Sequence, residues 1–122
     1  MNTALPTTLP FTEQLQTIKS YMGKLGAVQP ATMGAFSRLH QAAAAPGALD
    51  TKTKELIALA IGVAARCDGC IAFHTHDVLE AGASEKEVLD ALGVAILMGG
   101  GPSVMYATHV LEAMEDFKAS QQ

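Results

Sequence analysis

Two cysteines separated by two residues, Cys67-Asp68-Gly69-Cys70, with His74 four positions further on, are the residues of this chain best suited to chemistry. The pair stands where a helix is expected to begin. A helix N-terminus carries about half a positive charge, and its free N–H groups stabilise an anion. A thiol placed there is more acidic than usual, and the thiolate is the reactive form. Side chains three apart share a helix face, with Cβ atoms about 5–6 Å apart, whereas a disulfide wants roughly 3.5–4.5 Å. A bond between Cys67 and Cys70 therefore forms if the first turn relaxes, and an exposed bond of that kind is readily reduced. His74 lies one turn beyond Cys70 on the same face. From there an imidazole can take a proton from a thiol or steady a thiolate. Asp68 suits the first turn of a helix but opposes a neighbouring anion.

Other uses of such a pair stay open. Two buried cysteines can be inert. A zinc site would draw on Cys67, Cys70 and His74 with a distant fourth ligand, but no second C-x-x-C or H-x-x-x-H supplies another knuckle. Covalent haem attachment is excluded, because Ile71 stands where C-x-x-C-H has its histidine. The expectation is a thiol site with no metal and no cofactor.

The elements that must position these residues are helices. The chain has 122 residues, enough for one domain. Met1 to Pro10 reads as a flexible arm, and residues 11–122 as the folded domain. Phe11, Leu15, Ile18, Met22 and Leu25 recur at helical spacing, with Gly26 as the expected stop. Pro30 opens a second helix that Pro46-Gly47 ends. Asp50 caps a third, running to about Arg66, and a fourth runs from near Cys67 to Gly82. Ser84 to Glu87 is a capping box for a fifth, and Gly99-Gly100-Gly101 is the expected break before a sixth at Pro102. On the sixth, Val104, Ala107, Leu111 and Met114 share a face. No run alternates apolar and polar residues, so the fold class is all-α, a single-domain bundle of about six helices.

Composition bounds the partners. Hydrophobic residues make up 49% and charged residues 16%, against about 25% charged in a typical soluble domain. Leu56 to Ala65 is apolar on every side, the mark of a helix buried all round. One small monomer does not cover such a helix, so a homo-oligomer is expected, with each cysteine pair near a subunit boundary. A net charge of −4 without a basic cluster argues against nucleic acid. The apolar run is far short of the roughly 20 residues of a membrane span, and the first ten residues lack the features of a secretory signal. A cytoplasmic location and no membrane partner follow as expectations. In that compartment a cysteine pair is seldom a structural staple.

At these residues the sequence resembles the AhpD-like (alkylhydroperoxidase D-like) branch of the carboxymuconolactone decarboxylase family. The match is Glu55, eleven residues, Cys67, two residues, Cys70, three residues, His74. His74-Thr75-His76, Gly82-Ala83-Ser84 and the glycine-proline break at Gly99 to Pro102 agree with it, and the likeness is clearest from Asp50 to Ala113. The resemblance implies an all-helical trimer or hexamer that consumes a small hydroperoxide. An external dithiol, such as a lipoyl-type one, would restore the pair. It implies that Cys70 attacks, that Cys67 resolves, and that Glu55 and His74 form the proton relay. Members with efficient peroxidase activity carry a second histidine just before the second cysteine, where this chain has Gly69. A disulfide reductase or redox sensor on the same frame is therefore the alternative. The decarboxylase branch generally lacks the cysteine pair.

Read without the resemblance, Glu55 is a first-turn acid facing water. His76 is a surface or interface residue, and His40 and His109 are ordinary helical residues, His109 within reach of a neighbouring subunit. Tyr106 is a core residue.

Overall fold

A computed structural model describes residues 9–121, and six helices with no strand make up that region. The helices are α1 (Phe11–Val28), α2 (Pro30–Ala44), α3 (Thr51–Ala64), α4 (Asp68–Glu80), α5 (Glu85–Gly99) and α6 (Gly101–Ala119). The all-α expectation holds. Of the expected N-terminal arm, residues 1–8 lie outside the described region, while Leu9 and Pro10 are exposed.

The boundaries have local causes. Asp50 accepts the backbone N–H of Thr53 at 2.8 Å, which caps α3. Ser84 and Glu87 form the reciprocal capping box of α5, and the bond from the Ser84 N–H holds the Glu87 carboxyl below its ordinary range. Phe11 donates its N–H to Asp116 at 2.8 Å, so a carboxylate from the end of α6 covers the N-terminus of α1. Expected boundaries moved in two places. α1 runs through Gly26 and stops at Gln29, because the residue before Pro30 is pushed out of helical backbone. At the triple glycine only Gly100 leaves the helical region, with φ 71°. Gly99 stays in α5 because a Cβ there would overlap the side chain of buried Ser103.

The core is built from five of the six helices. Leu59 and Val63 of α3, Ile71 and Val78 of α4, Val88 of α5 and Val110 of α6 are fully buried. Phe11 and Leu15 of α1 close one side. α2 contributes no buried residue. It is held at its C-terminal end, where Thr51 Oγ1 and Lys54 Nζ donate to the carbonyls of Ala44 and Ala45 at 3.0 and 2.6 Å. The inward face of α6 is Ala107, Val110, Ala113, Met114 and Phe117, whereas Val104 and Leu111 of the expected stripe are 39% and 41% exposed. Small residues won the close approach and larger ones took the edge. α3 is likewise not buried all round in a single chain: Ile57 is 45% exposed and Ile61 62%.

α3 and α4 are joined with no spare residue. Arg66 adopts a left-handed φ of 58°, its N–H donates to Val63, and the N–H of Cys67 donates to Gly62. This is a Schellman ending built on arginine. Gly82, with φ 90°, ends α4 in the same way: its N–H donates to Leu79 and that of Ala83 to Val78. A left-handed backbone costs a residue with a Cβ roughly 1–2 kcal/mol. Arg66→Gly should therefore raise stability in urea by about 1 kcal/mol, and Gly82→Ala should lower it by about as much. Effects of the same sign from the two changes would contradict the assigned backbone.

Candidate active site

Cys67 ends one helix and begins the next. As the N-cap of α4 its extended backbone puts Sγ where it accepts the N–H of Cys70 at 3.1 Å. That bond, with the helix N-terminus behind it, stabilises charge on the Cys67 sulfur. The two cysteines are joined as a disulfide with Cα atoms 5.2 Å apart. In this state neither sulfur is a thiolate, which is the form that binds zinc.

Close packing of α3 on α4 fixes the pair. A Cβ on Gly62 would stand 2.9 Å from the Cβ of Cys70, nearer than two such atoms come. Only a glycine at that point of α3 lets the cysteine helix lie so near. The same approach brings Glu55, two turns earlier on α3, onto the histidine of α4. Nδ1 of His74 donates to Oε1 of Glu55 at 2.7 Å. Glu55 is 5% exposed, so its reading as a solvated first-turn acid fails. Burying a carboxylate is costly without a partner, and His74 is that partner. The pairing leaves Nε2 of His74 for the cleft.

That cleft has a volume of about 360 Å³. Its floor is Cys67, Gly69, Cys70 and His74, and Phe73 and Met22 flank it. Met33, Phe36, Ser37 and His40 of α2 form the opposite wall. The site is thus an apolar groove over two sulfurs and an imidazole backed by a buried carboxylate. Such an arrangement can deprotonate a thiol, hold the thiolate away from bulk water and return a proton to a leaving group.

The structure brings Glu55 and His74 into contact and places Cys67, Cys70 and His74 along one cleft. It also places two histidines differently from the sequence reading. His109 is no idle helical residue: its Nδ1 donates to Asp68 at 2.6 Å, tying α6 to the residue between the cysteines. Its ring also meets Tyr106 edge-on at 5.0 Å. The His109 ring N–H so placed occupies an oxygen of the carboxylate that lies between the two cysteines in sequence. His40 lines the cleft, with its ring centroid 6.4 Å from that of His74. Nothing in the spacing of α2 signals this, since 34 residues separate the two histidines. Among the described residues His40, Glu55 and Asp77 also form a group whose potential ligand atoms lie within 4.8 Å of one another. His76 pairs with Asp77 at 3.0 Å and meets the ring of Phe117 edge-on at 5.5 Å. Among the described residues no helix is long and apolar enough to cross a membrane.

Comparison with known proteins gives consistent results. Residues 30–113 match the model of the carboxymuconolactone decarboxylase family, which takes in α2 as well as the cysteine helix. A crystal structure of an apo protein of that family from Legionella pneumophila is 48% identical, with a TM-score of 0.85 over 88% of this chain and 96% of that one. A family member from Thermotoga maritima, described as a candidate in an antioxidative response, is 27% identical, with a TM-score of 0.80 over 88% and 92% of the two chains. An uncharacterised protein of Cupriavidus necator is 40% identical over 87% of this chain and 94% of its own length.

The contact at Gly62 gives a direct check on how the pair is placed. Gly62→Ala should gain up to about 1 kcal/mol in helix propensity and lose more to overpacking, about 1–3 kcal/mol. The net result is a lower melting temperature and an altered rate of disulfide reduction by dithiothreitol. Gly69→Ala is the control, because its Cβ would meet Ile18 at an ordinary 3.5 Å. If Gly62→Ala melts higher than the parent, α3 and α4 are further apart than described.

Proposed function

The chain belongs to the carboxymuconolactone decarboxylase family, and from that premise we propose that it is a thiol-dependent hydroperoxidase of the AhpD-like branch, acting in antioxidant defence. The observation that carries this reading is the buried Glu55 carboxyl group on His74, one helical turn beyond a disulfide-bonded cysteine pair. The antioxidative description of the Thermotoga maritima relative supports it.

In the proposed cycle His74 takes the thiol proton of Cys70 at Nε2, and Glu55 stabilises the imidazolium through Nδ1. The Cys70 thiolate attacks the outer oxygen of a hydroperoxide. An S–O bond forms, the O–O bond breaks, and the alkoxide leaves with the proton from His74, giving an alcohol and a sulfenic acid. The sulfur of Cys67 then displaces the sulfenic oxygen as water and closes the disulfide. An external dithiol, of lipoyl type or similar, reduces that bond and is itself oxidised to a disulfide. The Cys70 N–H and the helix N-terminus stabilise Cys67 as a thiolate, which makes it the better leaving group when the external thiol attacks Cys70. Glu55, Cys67, Cys70 and His74 are the working residues, and the chemistry needs no metal or cofactor. A cytoplasmic location, where a dithiol pool is at hand, suits this cycle.

Consumption of an organic hydroperoxide with dihydrolipoamide as reductant tests the reading. Cys70→Ser should abolish turnover, and His74→Gln should cost about 10²-fold. Cys67→Ser should consume one equivalent of hydroperoxide and stop at a sulfenic acid that dimedone traps. Full turnover by Cys70→Ser would sink the assignment. Gly69 favours a second reading, a disulfide reductase or redox sensor, because no side chain there adds a second base. Its signature is a pair that cycles with the dithiol while reacting with hydroperoxide no faster than a free thiol.

Assembly is part of the same proposal. α3 and α5 pack together, yet Ile61, Val94, Leu97 and Met98 on them are 62%, 57%, 79% and 78% exposed. Exposed apolar side chains on two packed helices call for copies of the same chain. The proposal is a homo-oligomer of at least three subunits, trimer or hexamer, burying more than about 2,000 Å² per interface. Sedimentation at micromolar concentration decides it, and a stable, active monomer of 12.7 kDa would rule it out.

A further inference from the structure

Glu55 is 5% exposed, so it reaches water only through its neighbours. His74 lies on its cleft side, bonded at 2.7 Å. His40 approaches from α2, with a ring nitrogen that lies, with an oxygen of Glu55 and one of Asp77, within a group no more than 4.8 Å across. His40 is exposed, while the side chain of His74 is 22% exposed and opens onto the cleft. The walls of that cleft include Met22, Met33, Phe36 and Phe73. A substrate seated between them covers the wet side of His74. The remaining routes from the Glu55–His74 pair to bulk water then pass through Asp77, whose side chain is 31% exposed, and through His40, the imidazole of the two.

We propose that His40 is a positioning residue for the thiol chemistry: its imidazole steadies the Glu55 carboxylate opposite His74 and carries protons between that carboxylate and solvent. The inference rests on the cysteine hydroperoxidase reading for its effect on turnover, but not for its effect on the thiol. The proton taken from Cys70 enters His74 at Nε2. The proton on Nδ1 is shared with Glu55, and His40 accepts it or supplies another in its place. One proton comes in from a thiol and one goes out to a leaving oxygen, so the relay itself neither gains nor loses protons or electrons. An imidazole suits this task because it accepts and releases protons near neutral pH. The groups facing His40 are Glu55 from α3 and His74 and Asp77 from α4. From α1, Lys19 stands 5.8 Å over the ring of Phe73 in the same cleft. The position of His40 also makes the role testable, since α2 contributes no buried residue and a change at its surface leaves the core intact.

The experiment follows the reduced full-length protein carrying Cys67→Ser, so that Cys70 is the one thiol present. Its rate of alkylation by iodoacetamide is measured from about pH 5 to 9, spanning the range where imidazole titrates. The same is done with His40→Gln and His40→Ala added. The expected result is a rate at neutral pH lowered about tenfold by either change, a part of the about 10²–10⁴-fold that acid–base groups contribute. The midpoint of the profile should move upward. Millimolar imidazole should restore the His40→Ala protein and leave the parent unaffected, with unchanged melting temperatures. A profile that superimposes on the parent overturns the proposal. So does stoichiometric zinc, held by the parent and lost on His40→Gln, because the three side chains would then be metal ligands. Hydroperoxide turnover, measured in parallel on proteins with both cysteines, separates the two readings. An altered alkylation profile without any turnover leaves the relay standing and removes the peroxidase. Turnover with an unaltered profile does the reverse.

Discussion

Everything at the site depends on a turn in which one residue completes two helices. Cys67 supplies the N–H that closes the C-terminus of α3 and the sulfur that caps the N-terminus of α4. The orphan groups of two helix ends are thereby met within one residue. With no slack in the joint, α4 must fold back along α3, and the small surface of Gly62 lets it settle against Cys70. That closeness puts Glu55 under His74. The strained backbone of Arg66 is the local expense of the arrangement.

The buried carboxylate shows how stability and chemistry are coupled here. A carboxyl group at 5% exposure is tolerable because the ring of His74 meets it. The same contact fixes which nitrogen of His74 faces the sulfurs. A group that would be a liability in an ordinary core thus orients the base. On the other side of the pair, His109 hydrogen-bonds to Asp68, the one acidic residue between the cysteines.

Much of this was legible in the sequence, and the parts that were not have a common cause. Caps and periodicity located all six helices, since Asp50, Ser84, Glu87, Pro30 and Gly82 act within a few residues of themselves. The cysteine pair and His74 could be placed on one face from spacing alone. Glu55 needed the family resemblance, because its burial is a property of α3 against α4. His40 and His109 were read as ordinary, since each reaches the site from a helix distant in sequence. The face of α6 was misjudged for a similar reason. Hydropathy favours Val104 and Leu111, but helix–helix distance favours Ser103 and Ala113. Local rules gave the elements, and side-chain meetings across the fold were beyond them.

α2 stands apart from this economy. It walls the cleft with Met33, Phe36 and His40, yet none of its residues is buried in the chain's own core. Exposed substitutions away from special contacts usually change stability by less than about 0.5 kcal/mol. Mutation can therefore rewrite that wall over many generations without selection on folding opposing it. The helices that make the protein stable and the helix that shapes what reaches its sulfurs are under separate evolutionary control, so a lineage can explore new ligands on an unchanged scaffold.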